Sequence, residues 1–144
     1  KDSRIGSNGA LSLIIYFALK GTLLKEVISI DESPYFLLVM PVIARFNSTL
    51  NCGVAKYARP SGMGKSIVEE TNIVSVLISL VITLAFSYYF IGMTGIYALV
   101  VVSILGIYFA KLMERKIGGI TGDTLGAVVE MSSIIVLLVG AING

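Results

Sequence analysis

Five apolar stretches, separated by short polar ones, account for most of the chain. They run over about 10–30, 35–54, 73–91, 95–112 and 124–142. A helix needs about 20 residues to cross the hydrocarbon core of a bilayer. The last three stretches meet that requirement well and are rich in Ile, Val and Leu. The first is the weakest, because Lys20, Lys25 and Glu26 interrupt it. It crosses from Ala10 to Leu24 if it tilts, with Lys20 snorkelling toward an interface. The joints are legible as well. Asp31-Glu32-Ser33-Pro34 places acids and a proline where a helix begins. Gly92-Met93-Thr94-Gly95 reads as a tight turn between the third and fourth spans. Gly118-Gly119 lies in a loop ahead of Thr121, which is placed to cap the next helix. No strand signal and no internal repeat is visible. The pattern predicts an all-α polytopic membrane helix bundle with about five transmembrane helices, a single membrane-embedded domain over 1–144.

Composition agrees with lipid as the solvent. The chain is 56% hydrophobic and 14% charged, with a mean hydropathy of +0.90. Soluble domains carry about 25% charged residues. The single cysteine, Cys52, excludes an intrachain disulfide and reads as a small buried hydrophobe. With no histidine, a Cys/His zinc site is excluded, as is a His base from this chain. A metal here would need oxygen ligands, which favours Mg²⁺ or Mn²⁺. The first residue is Lys1 and the chain opens inside a polar motif, so a fragment lacking an upstream part is expected.

The distribution of charge says more than the total of +2. With five crossings, the N-terminal stretch and the loops before the third and fifth spans share one side. They hold Lys1, Arg4, Lys56, Arg59, Lys65, Lys111, Arg115 and Lys116, eight of the eleven basic residues. The positive-inside rule then puts that side in the cytoplasm. Three Gly- and charge-rich segments gather there: 1–6, 59–65 and 121–126. Such a cluster at a membrane surface suits a phosphate-bearing substrate and a divalent cation.

Arg59 to Lys65 mixes cations with Gly62 and Gly64, and glycines let a backbone approach phosphate oxygens closely. Gly64-Lys65-Ser66 is not a P-loop, because Arg59 stands where that motif needs a glycine. An ordinary basic loop is the plainer reading. Asp123 is either a helix N-terminal charge or a functional carboxylate. Glu130, seven positions later, shares its helix face. An ionisable residue so far inside an apolar helix is a functional hypothesis by default. Its expected partner is Arg45, inside a second span made polar by Asn47, Ser48 and Asn51. That pair either packs the bundle or orients a substrate phosphate. Asp2 and Asp123 would form part of a Mg²⁺ site only if the fold brings them together.

In order along the chain, Lys1-Asp2-Ser3-Arg4-Ile5-Gly6 with Gly9-Ala10-Leu11, Ala44-Arg45, Tyr57-Ala58-Arg59-Pro60 with Gly62 and Gly64, and Thr121-Gly122-Asp123-Thr124-Leu125-Gly126-Ala127 with Glu130 resemble the cobalamin synthase family. These are multi-span membrane enzymes also described as adenosylcobinamide-GDP ribazoletransferases. The resemblance implies transfer between adenosylcobinamide-GDP and α-ribazole or its 5′-phosphate, release of GMP, and a need for Mg²⁺. Placed on the matching positions by residue type, Lys1, Arg4 and Arg59, with Lys65, Gly62 and Gly64, would serve the phosphates. Asp2 and Asp123 would hold or orient Mg²⁺, and Arg45 and Glu130 would support the site. The family's Asp-rich metal segment lies upstream of the Lys1 motif, so the 144 residues alone are expected to be inactive. The resemblance further implies the inner membrane of a prokaryote, with the polar motifs in the cytoplasm. It implies no nucleic-acid partner and leaves a homo-oligomer open. The competing readings are a phospholipid-type alcohol phosphotransferase and a transporter fragment.

Overall fold

In the computed structural model, residues 6–29, 33–62 and 64–143 are described, apart from the side chains of Asn8 and Ser33. Five helices follow in order: α1 Ser7–Ile28, α2 Ser33–Val54, α3 Lys65–Glu70, α4 Ile73–Ile117 and α5 Gly122–Asn143. Three stretches, Pro34–Val54, Ile73–Ile117 and Gly122–Asn143, are long and apolar enough to cross a membrane. The helix α1 carries the charges that weakened the first apolar stretch and is not among them.

The 45 residues of α4 would span about 68 Å if straight, more than twice a hydrocarbon core. They do not run straight. Ile91 (φ −130°, ψ 15°) and Gly92 (φ 58°, ψ −138°) leave the helical region. The second of these conformations is closed to residues with a Cβ. Packing shows that the chain folds back there. Gly95 sits so close that a Cβ would lie 2.7 Å from the Ser87 carbonyl oxygen, eight residues earlier. At the other end, the start of α4 meets the end of α2 where Val76 packs on Gly53, and the exit of α4 also returns to the end of α2. The two arms, 73–90 and 93–117, therefore form an antiparallel pair. The expected turn at 92–95 exists but is centred on Ile91 and Gly92. Gly95 serves close packing rather than the turn.

The inner stripe of α4 is built from small residues at three- and four-residue spacing, among them Ser87, Gly95, Ala98, Gly106 and Ala110. Its large apolar side chains point out, as at Ile104 and Tyr108. A soluble bundle would do the reverse. Small inner residues with bulky outer ones are how helices pack when lipid solvates the outside. The central helix is α2, which packs on both α4 and α5, while α1 lies chiefly on α5. Val27, Phe36, Val39, Ile43, Val102 and Leu137 fill the main core. A second core, of Cys52, Ala55, Val68, Ala110 and Ile120, lies under the loops. Cys52 is the buried hydrophobe its setting predicted.

One piece of extended structure was not foreseen. Tyr57 and Ile120 form an isolated parallel bridge. Ala58 N–H donates to the Ile120 carbonyl and Ile120 N–H to the Lys56 carbonyl, both at 2.8 Å. Gly119 (φ 151°) makes this approach possible, since a Cβ there would lie 2.2 Å from the Lys56 oxygen. Thr121 then caps α5 as expected, its Oγ1 accepting from Thr124 N–H at 3.3 Å while Thr124 Oγ1 accepts from Thr121 N–H at 2.7 Å. Gly119→Ala is predicted to lower stability by about 2–4 kcal/mol, through a strained φ and a lost bridge. Thermal unfolding in detergent checks this, and an unchanged midpoint would remove the bridge from the account.

Candidate functional site

The bridge fixes where the two described polar segments meet. Three residues after Ile120 stands Asp123, and one residue after Ala58 stands Arg59. Their side chains pair at 3.4 Å across the joined loops. Both are exposed, Asp123 by 82% and Arg59 by 52%, so the pair adds about 0–1 kcal/mol at most. It is a poor staple. Two opposite charges held at a loop mouth are instead free to exchange each other for an incoming anion or cation.

Next to Asp123, reached through its chain neighbour Gly122, lies a cavity of about 550 Å³, which neither Arg59 nor Asp123 lines. The helix α2 contributes Arg45, Ser48 and Thr49, and α5 contributes Gly122, Leu125, Gly126, Val129 and Glu130. Gly64 and Ile67 close it from the side of α3. Arg45 and Glu130 therefore line one cavity, but they do not pair as the sequence predicted. Glu130 Oε2 is held by α1: Lys20 Nζ donates to it at 2.7 Å, and Tyr16 Oη donates a short hydrogen bond to the same oxygen. Lys20 also donates to Tyr16 Oη at 2.5 Å. One expectation is corrected here: Arg45 is not the partner of Glu130, whose partners are Lys20 and Tyr16. Arg45 has no ion-pair partner among the described residues.

The physical reason is azimuth. Arg45 lies nine residues before the end of α2 and Glu130 eight after the start of α5, so both sit at a similar depth. Depth can be read from spacing, but the direction a side chain takes around its helix depends on the neighbours. Tyr16 and Lys20 were missed for this reason. The available signal was their four-residue spacing, which puts a phenol and an ammonium on one face of the only other helix that carries a deep charge.

The remaining candidates divide clearly. Lys65 donates to the Pro60 carbonyl at 3.0 Å and lies 3.7 Å from Glu69, so it braces its own loop. Gly62 is needed for packing, because a Cβ would lie 2.2 Å from Tyr57 Oη. Gly64 is buried, and a Cβ there would sit 3.5 Å from Gly122. That is an ordinary contact, so the start of α3 lies against the start of α5 without requiring a glycine at 64. Asp123 and Glu130 take different surroundings despite their shared face: Glu130 lines the cavity, whereas Asp123 stays at the mouth. Lys1, Asp2 and Arg4 lie outside the described residues. Among the described residues no group of three or more His, Cys, Asp or Glu is placed to hold a metal ion. Asp123 alone does not make a Mg²⁺ site.

The family model for cobalamin-5-phosphate synthase matches residues 1–141. The chain belongs to this family. Among curated relatives, the adenosylcobinamide-GDP ribazoletransferase of Fusobacterium nucleatum is 41% identical, over 94% of this chain and 56% of its own length. Those of Brevibacillus brevis and Caldanaerobacter subterraneus subsp. tengcongensis are 32% and 36% identical, each over 96% of this chain and 56% of the relative. The chain thus spans about half the length of the curated relatives it matches. No solved structure matches. For this cobalamin-5-phosphate synthase family member, the exposed Arg59–Asp123 pair has a clear consequence. Asp123→Asn is expected to leave membrane insertion intact and to change unfolding free energy by less than about 1 kcal/mol. Denaturation in detergent against the unsubstituted protein measures it, and a larger loss would make the pair structural.

Proposed function

We propose that the protein carrying this chain transfers α-ribazole, or its 5′-phosphate, to adenosylcobinamide-GDP. In that reaction a ribazole hydroxyl oxygen forms a bond to the cobinamide-linked phosphorus. The bond from that phosphorus to the GMP oxygen breaks, GMP leaves with the electron pair, and the hydroxyl proton passes to a base. Two observations support the reading: the family match, and relatives whose name is that of the reaction. The observation that carries it in the structure is the cavity beside the Arg59–Asp123 mouth. Arg45 in its wall and Arg59 in the adjoining loop are cations for a pyrophosphate, and the cavity has room for an organic group.

Phosphoryl transfer between alcohols leaves little covalent work to the protein. Positioning and neutralisation of developing charge dominate. Arg59 is placed to meet equatorial phosphoryl oxygens when substrate replaces Asp123 as its partner. Asp123, so released, is the described carboxylate nearest the mouth. We also propose a requirement for Mg²⁺, which would neutralise the pyrophosphate when bound. Because the described residues do not assemble a metal site, no step is assigned to it. The basic residues Lys56, Arg59, Lys65, Lys111, Arg115 and Lys116 lie in the loops and helix ends at one end of the bundle. By the positive-inside rule, that end faces the cytoplasm of a prokaryotic inner membrane.

Membranes carrying the full-length protein, given adenosylcobinamide-GDP, α-ribazole and Mg²⁺, are predicted to release GMP and form a corrinoid product. EDTA is predicted to stop both. No release from well-folded protein sinks the reading. In the same assay Asp123→Asn should cut turnover by at least about 100-fold, the scale of losing one preorganised electrostatic contact. Near-normal turnover would return Asp123 to a helix-terminal charge.

A further inference from the structure

The cavity contains an electrostatic imbalance. Its lining holds two ionisable side chains, Arg45 and Glu130. The charge of Glu130 is already met from outside the lining, by Lys20 and Tyr16 of α1. That leaves the Arg45 guanidinium without an opposite charge among the described residues, at a depth where lipid surrounds the bundle. Arg45 is exposed and so open to a ligand, and an ionisable residue within an apolar span is a functional hypothesis by default. The neighbouring surface is suited to an anion. Ser48 and Thr49 bring hydroxyls to the same wall, and Gly122 and Gly126 leave space opposite. An arginine fork with hydroxyl donors is the usual chemistry for a phosphate oxygen pair.

We propose that Arg45 anchors a phosphate group inside this cavity, and that Lys20 and Tyr16 are positioning residues that keep Glu130 from neutralising it. The ligand class is a phosphate or pyrophosphate ester. Which ester it is rests on the reaction proposed above; the anchor itself does not. The arrangement also gives α1 a role beyond packing. Its i, i+4 pair of Tyr16 and Lys20 occupies the carboxylate that would otherwise turn to the nearest free cation in the cavity.

The test is binding of inorganic pyrophosphate to the purified full-length protein, followed by titration calorimetry without added metal. Arg45→Gln should weaken binding at least about tenfold, the loss of one charge-assisted bidentate contact. Lys20→Met should weaken it by a similar factor of about ten, because freed Glu130 competes for Arg45. The double variant Lys20→Met/Glu130→Gln should then bind within about threefold of the unsubstituted protein, since the competitor is gone. Lys20→Arg keeps the cation and should bind normally, which separates charge from folding. Absence of binding to the unsubstituted protein, or binding indifferent to Arg45→Gln, overturns the anchor. Normal binding by Lys20→Met, or no recovery in the double variant, overturns the positioning role. The same preparations enter the GMP-release assay. Transfer without Arg45-dependent binding removes the anchor and leaves the reaction. Arg45-dependent binding without transfer does the opposite.

Discussion

Two backbone hydrogen bonds, from Ala58 to Ile120 and from Ile120 to Lys56, hold the working end of this molecule together. At a membrane surface, irregular backbone must find partners within the protein or in water. Here two loops satisfy each other. The bond pair exists because Gly119 brings one chain against the other at a distance no side chain permits. From it follow the meeting of Arg59 with Asp123, the burial of Ile120 beneath the loops, and the close start of α3 on α5. The reversal of α4 at Gly92 is the second half of the same constraint, since it returns the chain to the end of α2.

Charge placement inside the bundle follows from the cost of ionised groups near lipid. Glu130 is held by two donors from α1, so a carboxylate deep in α5 also ties on the most peripheral long helix. Asn47 Nδ2 donates to Ser132 Oγ at 2.8 Å in the centre, Ser132 Oγ donates on to the Val128 carbonyl, and Gly106 clears the space Asn47 needs. Arg45 has no ion-pair partner among the described residues, and it lies where α2 faces a cavity of about 550 Å³. Structure and chemistry therefore meet at one place. Small residues bring the two arms of α4 close, and the substrate site proposed above lies where α2 and α5 leave a cavity.

Much of this was legible in the sequence. The spans were found because apolar length is set by bilayer thickness, which leaves little freedom. The gathering of 59–65 and 121–126 at one end followed from counting crossings. The family was legible because four motifs stand in register along the chain, and the match over residues 1–141 bears it out. What could not be read was lateral detail. Spacing gave Arg45 and Glu130 similar depths but not the directions of their side chains, so the true partners, Lys20 and Tyr16, were missed. Gly62 and Gly64 looked like phosphate-facing glycines. Packing against Tyr57 requires a glycine at 62, whereas a Cβ at Gly64 would make only ordinary contacts. The parallel bridge involves single residues, too short for any strand pattern to announce.

The central claim is that substrate enters the cavity between α2 and α5 beside the Arg59–Asp123 mouth. Substrate protection from alkylation tests it most directly. In a full-length background with Cys52→Ala and any cysteine outside these 144 residues also replaced, Ser48→Cys and Gly126→Cys place thiols in the cavity wall. Tyr89→Cys places one on the exposed surface near the α4 reversal as a control. Maleimide labelling of the two cavity thiols should be slowed by adenosylcobinamide-GDP, with the Tyr89→Cys thiol labelled at an unchanged rate. Cavity thiols that react equally fast with and without substrate would contradict the account.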